Sequence, residues 1–198
     1  MRFSSTSANT ALLRQAADFA LSAIQPVVPA MLARPTPCAE WDLEKLLLHL
    51  CDSISALLEG RGDQVVAHSA GAPIPADDPL SACRVRVLRL RRSCERPGKC
   101  GPVVVGDRPL DPELLLAAGA VEVAVHAWDV SQACGARLPV PADLAAALLP
   151  VCPLIAPEDD RAPLFAAPRP VPPGAGPGER LIAFLGRSAA GQRRRCPP

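Results

Sequence analysis

Three polar side chains are spaced to meet on one face of a strongly apolar segment. On a helix that turns 100° per residue, Glu122, His126 and Asp129 fall within about 60° of one another. The other residues from 114 to 130 are almost all Leu, Ala, Gly, Val and Trp, which predicts a buried helix. A buried carboxylate beside a buried imidazole must be paired or bind a metal. The pattern Glu-x-x-x-His therefore predicts two ligands of one divalent ion, with a metal-free ion pair as the alternative.

A third ligand is predicted from another helix. The chain has three histidines, and His49 lies on the shoulder of the apolar stripe of a second predicted helix, roughly 120° from its centre. A side chain there can point into a groove between helices, although a half-buried surface histidine is the alternative. Facing helices could then bring His49, Glu122 and His126 to one point as a two-histidine, one-carboxylate site. Such a site keeps open coordination positions, as catalysis by a metal requires.

Carboxylates that could orient the two imidazoles follow each histidine by three residues. Asp129 follows His126 and Asp52 follows His49, and both are candidates for an indirect, supporting role at the metal. The third histidine, His68, falls in a predicted loop and is expected to be solvated.

Composition is typical of a soluble globular protein that has one domain. Of the 198 residues 49% are apolar and 21% are charged, and the net charge of +1 suggests no general affinity for polyanions. Tyrosine is absent and other aromatic residues are few, which disfavours base stacking. The eight cysteines contain no C-x-x-C pattern, so reduced thiols are expected. We find neither a secretory signal pattern nor an apolar run of 18 residues, and therefore expect a cytoplasmic protein without membrane contact.

Helical periodicity and capping signals define the elements that position these residues. The predicted helices cover about 9–24, 43–60, 79–95, 112–134 and 143–149, with Asp42 and Asp111 as N-caps and Gly135 as a C-terminal cap. The arginine-rich segment 84–92 partly alternates and could be a strand; its arginines predict a solvated face, with anion binding as the alternative. Residues 103–105 are a loop or small strand, and residues 180–187 are a short closing helix or strand.

Two motifs carry a resemblance to a known family. They are T-P-C-x-x-W…L-x-x-H within residues 35–50 and E-x-x-x-H-x-W-D within residues 103–135. Together they resemble the DinB/YfiT-like metal-binding superfamily, and more narrowly its mycothiol-dependent maleylpyruvate isomerase N-terminal type. Residues 164–188 also resemble the end of short actinobacterial members. Larger members carry a further C-terminal domain, and Asp52 stands where many relatives have a small residue.

The resemblance implies an all-α fold, a four-helix bundle with short irregular or strand-like additions. We expect a single domain over residues 1–198, with the bundle at about 9–156 and a Pro-rich extension and tail at 157–198. The implied metal ligands are His49, Glu122 and His126, with zinc favoured and nickel, iron or manganese as alternatives. The implied chemistry is activation of the thiol mycothiol for isomerisation or S-transfer on a small electrophilic metabolite.

Other functions stay open at the level of sequence. A thiol-independent hydrolase, lyase or cyclase of a biosynthetic pathway could use the same metal, and a non-catalytic metal-binding module is a third hypothesis. The expected partner is a small-molecule substrate. No nucleic acid is expected, because the charge is near neutral and no helix-turn-helix signal is present. No membrane is expected, because no apolar run reaches 18 residues. A homodimer is left open.

Overall fold

The structure is a computed structural model that describes residues 6–38, 40–62, 78–96, 103–105, 108–157, 159, 161 and 165–188. Its α-helices are α1 (Thr6–Ile24), α2 (Leu43–Gly60), α3 (Pro79–Ser93), α4 (Pro112–Cys134), α5 (Ala142–Leu148), α6 (Cys152–Ile155) and α7 (Pro177–Phe184). A short 3-10 helix (Pro29–Met31) follows α1, and strands β1 (Val103–Val105) and β2 (Arg108–Leu110) form an antiparallel hairpin. The all-α prediction is confirmed.

Four long helices surround one core. α1 packs against α3 and α4, and α2 packs against the same two helices, so each long helix has two long neighbours. Leucine, isoleucine, valine and alanine side chains fill the space between them, including Leu13, Leu46, Ile54, Val87 and Val123. The smaller helix α5 packs mainly against α7 and also contacts α1 and α4. The ring of helices places one face of α2 directly against one face of α4.

The two helices that carry the candidate ligands begin where their capping residues predict. Asp42 accepts a hydrogen bond from the Lys45 amide at 2.9 Å, and Asp111 accepts one from the Glu113 amide at 2.9 Å. Each carboxylate satisfies an amide that the first turn leaves without a helical partner. Gly135 ends α4 in the left-handed conformation, at φ 85°. These local signals fix where α2 and α4 begin and where α4 ends.

α4 is buried on nearly every side, as its composition predicts. Within the described residues it is the one helix long and apolar enough to cross a membrane by length and composition. Most of it is buried inside the protein, however, which is typical of the core helix of a soluble domain.

The arginine-rich segment is helical, not a strand, because α3 buries Leu80, Cys83, Val87 and Leu90 at helical spacing. Several of its arginines also bind neighbouring helices, so the predicted solvated face is only part of their role. Arg84 donates to the Val27 carbonyl just beyond α1 (3.0 Å), and Arg91 donates to Asp18 of α1 (2.6 Å). These contacts attach α3 to α1.

Some elements of the structure differ from the predictions, and some predicted features lie outside the described residues. β2, which contains Pro109, and the short helix α6 were not predicted. The segment at 180–187 is mostly helical, since α7 ends at Phe184. His68 lies outside the described residues, as do Cys100 and Cys196; the six described cysteines are free thiols.

The Pro-rich extension packs back onto the bundle through its last helix. Leu181, Ile182 and Leu185 are buried in the common core. The buried Arg161 guanidinium lies 4.9 Å from the Phe184 ring and donates to the carbonyls of Ala156 and Ala166. These contacts attach the end of α7 to Ala156 and to the extension around Ala166.

Candidate metal centre

The structure brings together the three residues that the sequence selects as ligands. His49 projects from α2, and Glu122 and His126 project from α4. The Nε2 atom of His49 lies 2.8 Å from Oε1 of Glu122, and Nε2 of His126 lies 3.3 Å from the same oxygen. One ligand atom from each side chain lies within 4.8 Å of the other two. Side-chain exposure is 36% for His49, 34% for Glu122 and 9% for His126. The site is therefore open to solvent beside His49 and Glu122 and closed at His126.

Two further side chains shape the site from the side of α2. Ser53, one turn after His49, donates its hydroxyl to Oε1 of Glu122 at 2.9 Å. The Trp41 ring lies 4.5 Å from the His49 ring and 6.1 Å from the His126 ring, measured between centroids. Trp41 therefore covers both imidazoles with apolar surface. Neither contact was predicted, although the four-residue spacing from His49 to Ser53 is a signal that could have identified the serine.

Asp129 occupies the supporting position predicted for it. Its side chain is fully buried, and its Oδ2 atom lies 3.1 Å from Nδ1 of His126. A carboxylate can only accept a hydrogen bond, so Nδ1 of His126 carries the proton and Nε2 faces Glu122. This is the arrangement typical of metal-binding histidines, whose second nitrogen donates to a carboxylate or carbonyl.

Arg187 completes the polar cluster and was missed by sequence reasoning. It lies just after α7 and binds Asp129 through both nitrogens of its guanidinium edge, with Nη2 2.7 Å from Oδ2 and Nε 2.8 Å from Oδ1. The pairing joins residues 58 positions apart. No local sequence pattern predicts this ion pair, because the pair depends on how the extension folds back onto α4.

Asp52 stands apart from the site. It is exposed on α2 and forms no hydrogen bond with His49 in the described part of the chain. Asp129 is thus the one predicted supporting carboxylate that the structure places behind an imidazole.

Electrostatics keep both carboxylates of the cluster ionised. Burial acts to raise the pKa of Glu122, but hydrogen bonds from His126 and His49 outweigh it and lower that pKa. Burial also acts to raise the pKa of Asp129, and the charge of Arg187 together with the His126 hydrogen bond lowers it. For His126 burial acts to lower the pKa, whereas hydrogen bonds to Asp129, Cys38 and Glu122 raise it well above the ordinary value. The protonated form of His126, which carries a proton on each ring nitrogen, is therefore favoured in the metal-free cluster.

The donor set fits a divalent ion of the transition series. Two imidazole nitrogens and one ionised carboxylate oxygen converge from two rigid helices, and the buried imidazole is oriented by a carboxylate behind it. A second group, formed by Cys38, His126 and Asp129, also has close ligand atoms. There, however, the Arg187 guanidinium lies 3.4 Å from Cys38 Sγ and 2.7 Å from Asp129 Oδ2, so a cation already occupies that side. The first group is the better metal site.

Fold and site together define a class: an all-helical domain with a two-histidine, one-carboxylate centre between two core helices. Comparison with known families agrees with this class. Residues 13–131, more than half of the chain, match the sequence model of the mycothiol maleylpyruvate isomerase N-terminal domain, and the chain belongs to that family of DinB-like metal-binding proteins. The match includes His49, Glu122 and His126 and ends before Arg187.

Two mycobacterial relatives extend the similarity towards the C-terminus. They are the uncharacterized proteins Rv0738 and MT0763 of Mycobacterium tuberculosis, strains H37Rv and CDC 1551. Each is 27% identical over 187 residues, which cover 89% of this chain and 97% of the relative. No solved structure matches the chain significantly.

Proposed function

We propose that this protein is a divalent-metal-dependent enzyme that acts with mycothiol on a small electrophilic metabolite, as an isomerase or an S-transferase. His49, Glu122 and His126 are the proposed metal ligands, and zinc is the favoured metal. The observation that carries the proposal is that Nε2 of His49 and Nε2 of His126 both lie against Glu122 Oε1, in a chain that belongs to the mycothiol maleylpyruvate isomerase N-terminal domain family. We also expect the protein in the cytoplasm, where such a thiol is available in reduced form.

The residues around the ligands hold the centre in a single arrangement. Ser53 donates to Glu122 Oε1 and so fixes the carboxylate between the two imidazoles. Asp129 holds the proton of His126 on Nδ1, and Arg187 keeps Asp129 ionised in its buried position. His49, Glu122 and His126 would hold the metal, whose Lewis acidity would lower the pKa of a bound thiol towards neutral pH.

Ligands from only three side chains leave coordination positions for other molecules. A two-histidine, one-carboxylate set is typical of sites at which a substrate or cofactor binds directly. Trp41 packs beside the two imidazoles, and the exposure of about one-third of the His49 and Glu122 side chains leaves the site accessible from solvent. The arrangement supports chemistry at the metal better than a purely structural role, for which four protein ligands are usual.

The proposal is tested by spectroscopy of the cobalt-substituted protein. Mycothiol should produce intense charge-transfer absorption, because a thiolate ligand brings bands that nitrogen and oxygen ligands lack. S-methylated mycothiol is the matched control and should not produce them. The Cys38→Ser variant should behave like the unaltered protein, which shows that the thiolate comes from the added cofactor.

A cobalt spectrum that saturating mycothiol leaves unchanged would contradict the thiol hypothesis. The thiol-independent hydrolase, lyase or cyclase would then be the better explanation of the centre. If candidate metabolites also leave the spectrum unchanged, a non-catalytic metal-binding module becomes the preferred interpretation.

A further inference from the structure

A cleft of about 470 Å³ opens between α2 and α4, next to the proposed metal ligands. Its walls are Ala56 and Leu57 from α2 and Leu115 and Ala118 from α4, and Phe165 of the C-terminal extension also lines it. At one end it reaches Ser53 and Glu122. The cleft is therefore continuous with the candidate metal centre through a side chain that belongs to both.

The lining of this cleft is apolar except at one end. Among the described residues that line it, Glu122 is the sole charged side chain and Ser53 the sole other polar one, and both lie at the same end. The remaining lining residues are leucine, alanine, glycine, isoleucine and phenylalanine. A dianionic molecule lying along these walls would lose its hydration without gaining a cationic partner, which is costly. An apolar body would gain free energy from the same burial.

The shape of the cleft also argues for a small molecule. Its volume lies in the range of pockets that bind small ligands, about 300 to 1,000 Å³. Gly119 allows α2 to approach α4 closely, because a Cβ atom at this position would lie 2.3 Å from Cδ2 of Leu57. The absence of that methyl group lets the Leu57 side chain pack directly against α4, where Leu57 and Gly119 both line the cleft.

We propose that the cleft binds the apolar body of the substrate and so selects a small molecule with a single polar, metal-binding group attached to an aliphatic or aromatic portion. This inference rests on the proposed function, since the polar group would be the one that meets the metal beside Glu122. It adds the substrate class: a largely apolar electrophile, not a compact dicarboxylate.

The test uses the zinc-loaded protein and a series of alkyl hydroxamates from acetohydroxamate to octanohydroxamate. All share one metal-binding head group, and only the length of the apolar chain changes. Each methylene buried in the cleft should tighten binding by about fourfold. If acetohydroxamate binds and longer chains bind no more tightly, the inference is overturned while the metal centre stands.

Two variants locate the effect. Ala118→Leu and Ala56→Leu each fill the cleft, from α4 and from α2 respectively, and should weaken octanohydroxamate at least tenfold while zinc content is retained. Ala56 is exposed, so its substitution should leave folding intact if the Ala118 variant fails to fold. The matched control is Ala147→Leu, at an exposed position of α5 outside the cleft, which should bind the whole series as the unaltered protein does. The inference would be contradicted if all three variants bound octanohydroxamate with the same affinity as the unaltered protein.

Failure of the metal centre would give a different result. If even acetohydroxamate does not bind the zinc-loaded protein, the proposed function is wrong, and the cleft is tested with the neutral fluorophore N-phenyl-1-naphthylamine. Enhanced fluorescence that Ala56→Leu abolishes and Ala147→Leu preserves would support an apolar binding cleft independently of the metal. No enhancement in the unaltered protein would overturn the inference as well.

Discussion

Nδ1 of His126 lies 3.1 Å from Oδ2 of Asp129, a carboxylate that is completely buried. This contact sets both the orientation and the tautomer of the imidazole, because the acceptor on one side requires a proton on Nδ1. Nε2 is left facing Glu122, one turn earlier on α4, and His49 across the groove on α2. The ligand atoms are therefore preorganised by a contact that contributes no ligand itself.

Neutralising that carboxylate should weaken metal binding without removing a ligand, because an amide oxygen is a weaker acceptor for the Nδ1 proton. We expect Asp129→Asn to lower the affinity for zinc by about 10- to 100-fold, the usual cost of altering the partner of a metal-bound histidine. Asp52→Asn is the matched control, since Asp52 follows His49 at the same three-residue spacing but is exposed and makes no bond to it. Competition with a chromophoric chelator measures both affinities. Equal affinities of the two variants would contradict the role assigned to Asp129.

Loss of Arg187 should destabilise the whole domain. Asp129 would become a buried carboxylate without its guanidinium partner, and breaking a buried ion pair by removing one partner costs about 3 to 5 kcal/mol. Urea unfolding of metal-free Arg187→Ala should show this loss of unfolding free energy. Arg92→Ala, at an exposed position of α3, should change the stability by less than about 0.5 kcal/mol. Similar unfolding midpoints for the two variants would show that the buried pair contributes little.

The backbone conformation of Gly186, just before Arg187, should also contribute to the unfolding free energy. Gly186 has φ 81°, and a Cβ atom there would lie 2.9 Å from the Ala166 carbonyl oxygen. Gly186→Ala should therefore lower the unfolding free energy by about 1 to 3 kcal/mol. Gly174→Ala is the control, because it has space for a methyl group and no positive φ. Thermal unfolding of both variants decides the point, and an undiminished melting temperature for Gly186→Ala would contradict it.

Metal affinity should depend on pH through His126. Its pKa is raised in the metal-free cluster, so at pH values below that pKa the metal must displace a proton from Nε2. The affinity should fall about tenfold per pH unit as the pH decreases below the raised pKa, and level off above it. The same shift stabilises the metal-free protein below the ordinary histidine pKa, and this contribution disappears as the pH rises through the raised value.

Calorimetry in buffers of different ionisation enthalpy counts the protons released when zinc binds. About one proton per ion should be released near neutral pH, and Asp129→Asn should move the pH dependence towards lower pH by removing a group that raises the His126 pKa. Zinc binding whose affinity is the same at pH 5.5 and pH 8 would contradict a ligand that titrates in this way.

The sequence was most informative where interactions are local. Helical spacing on α4 aligned Glu122, His126 and Asp129, and the capping residues Asp42 and Asp111 located the starts of both ligand-bearing helices. The shoulder position of His49 indicated the groove but not its partner, which depends on how α2 packs on α4. Facing helices of a bundle suggested that pairing, and the resemblance of the two motifs to a metal-binding family implied the same three residues.

Interactions between distant segments were beyond the reach of sequence patterns. Arg187 reaches Asp129 only because α7 packs beside the core, and the hydrophobic residues responsible are ordinary leucines and isoleucines. The apolar cleft is formed by side chains of α2 and α4 and by Phe165 of the extension, none of which is distinctive in sequence. The Arg187–Asp129 pair and the cleft both follow from tertiary packing, which the spacing of residues along the chain does not specify.

The proposed function requires one metal ion bound by residues from two helices. Purified protein should contain close to one equivalent of a transition metal by elemental analysis, and His49→Ala and His126→Ala should each lose most of it while remaining folded by circular dichroism. His68→Ala, which removes the third histidine of the chain, should retain the full equivalent. Full metal occupancy in both His49→Ala and His126→Ala would contradict the assignment of this centre.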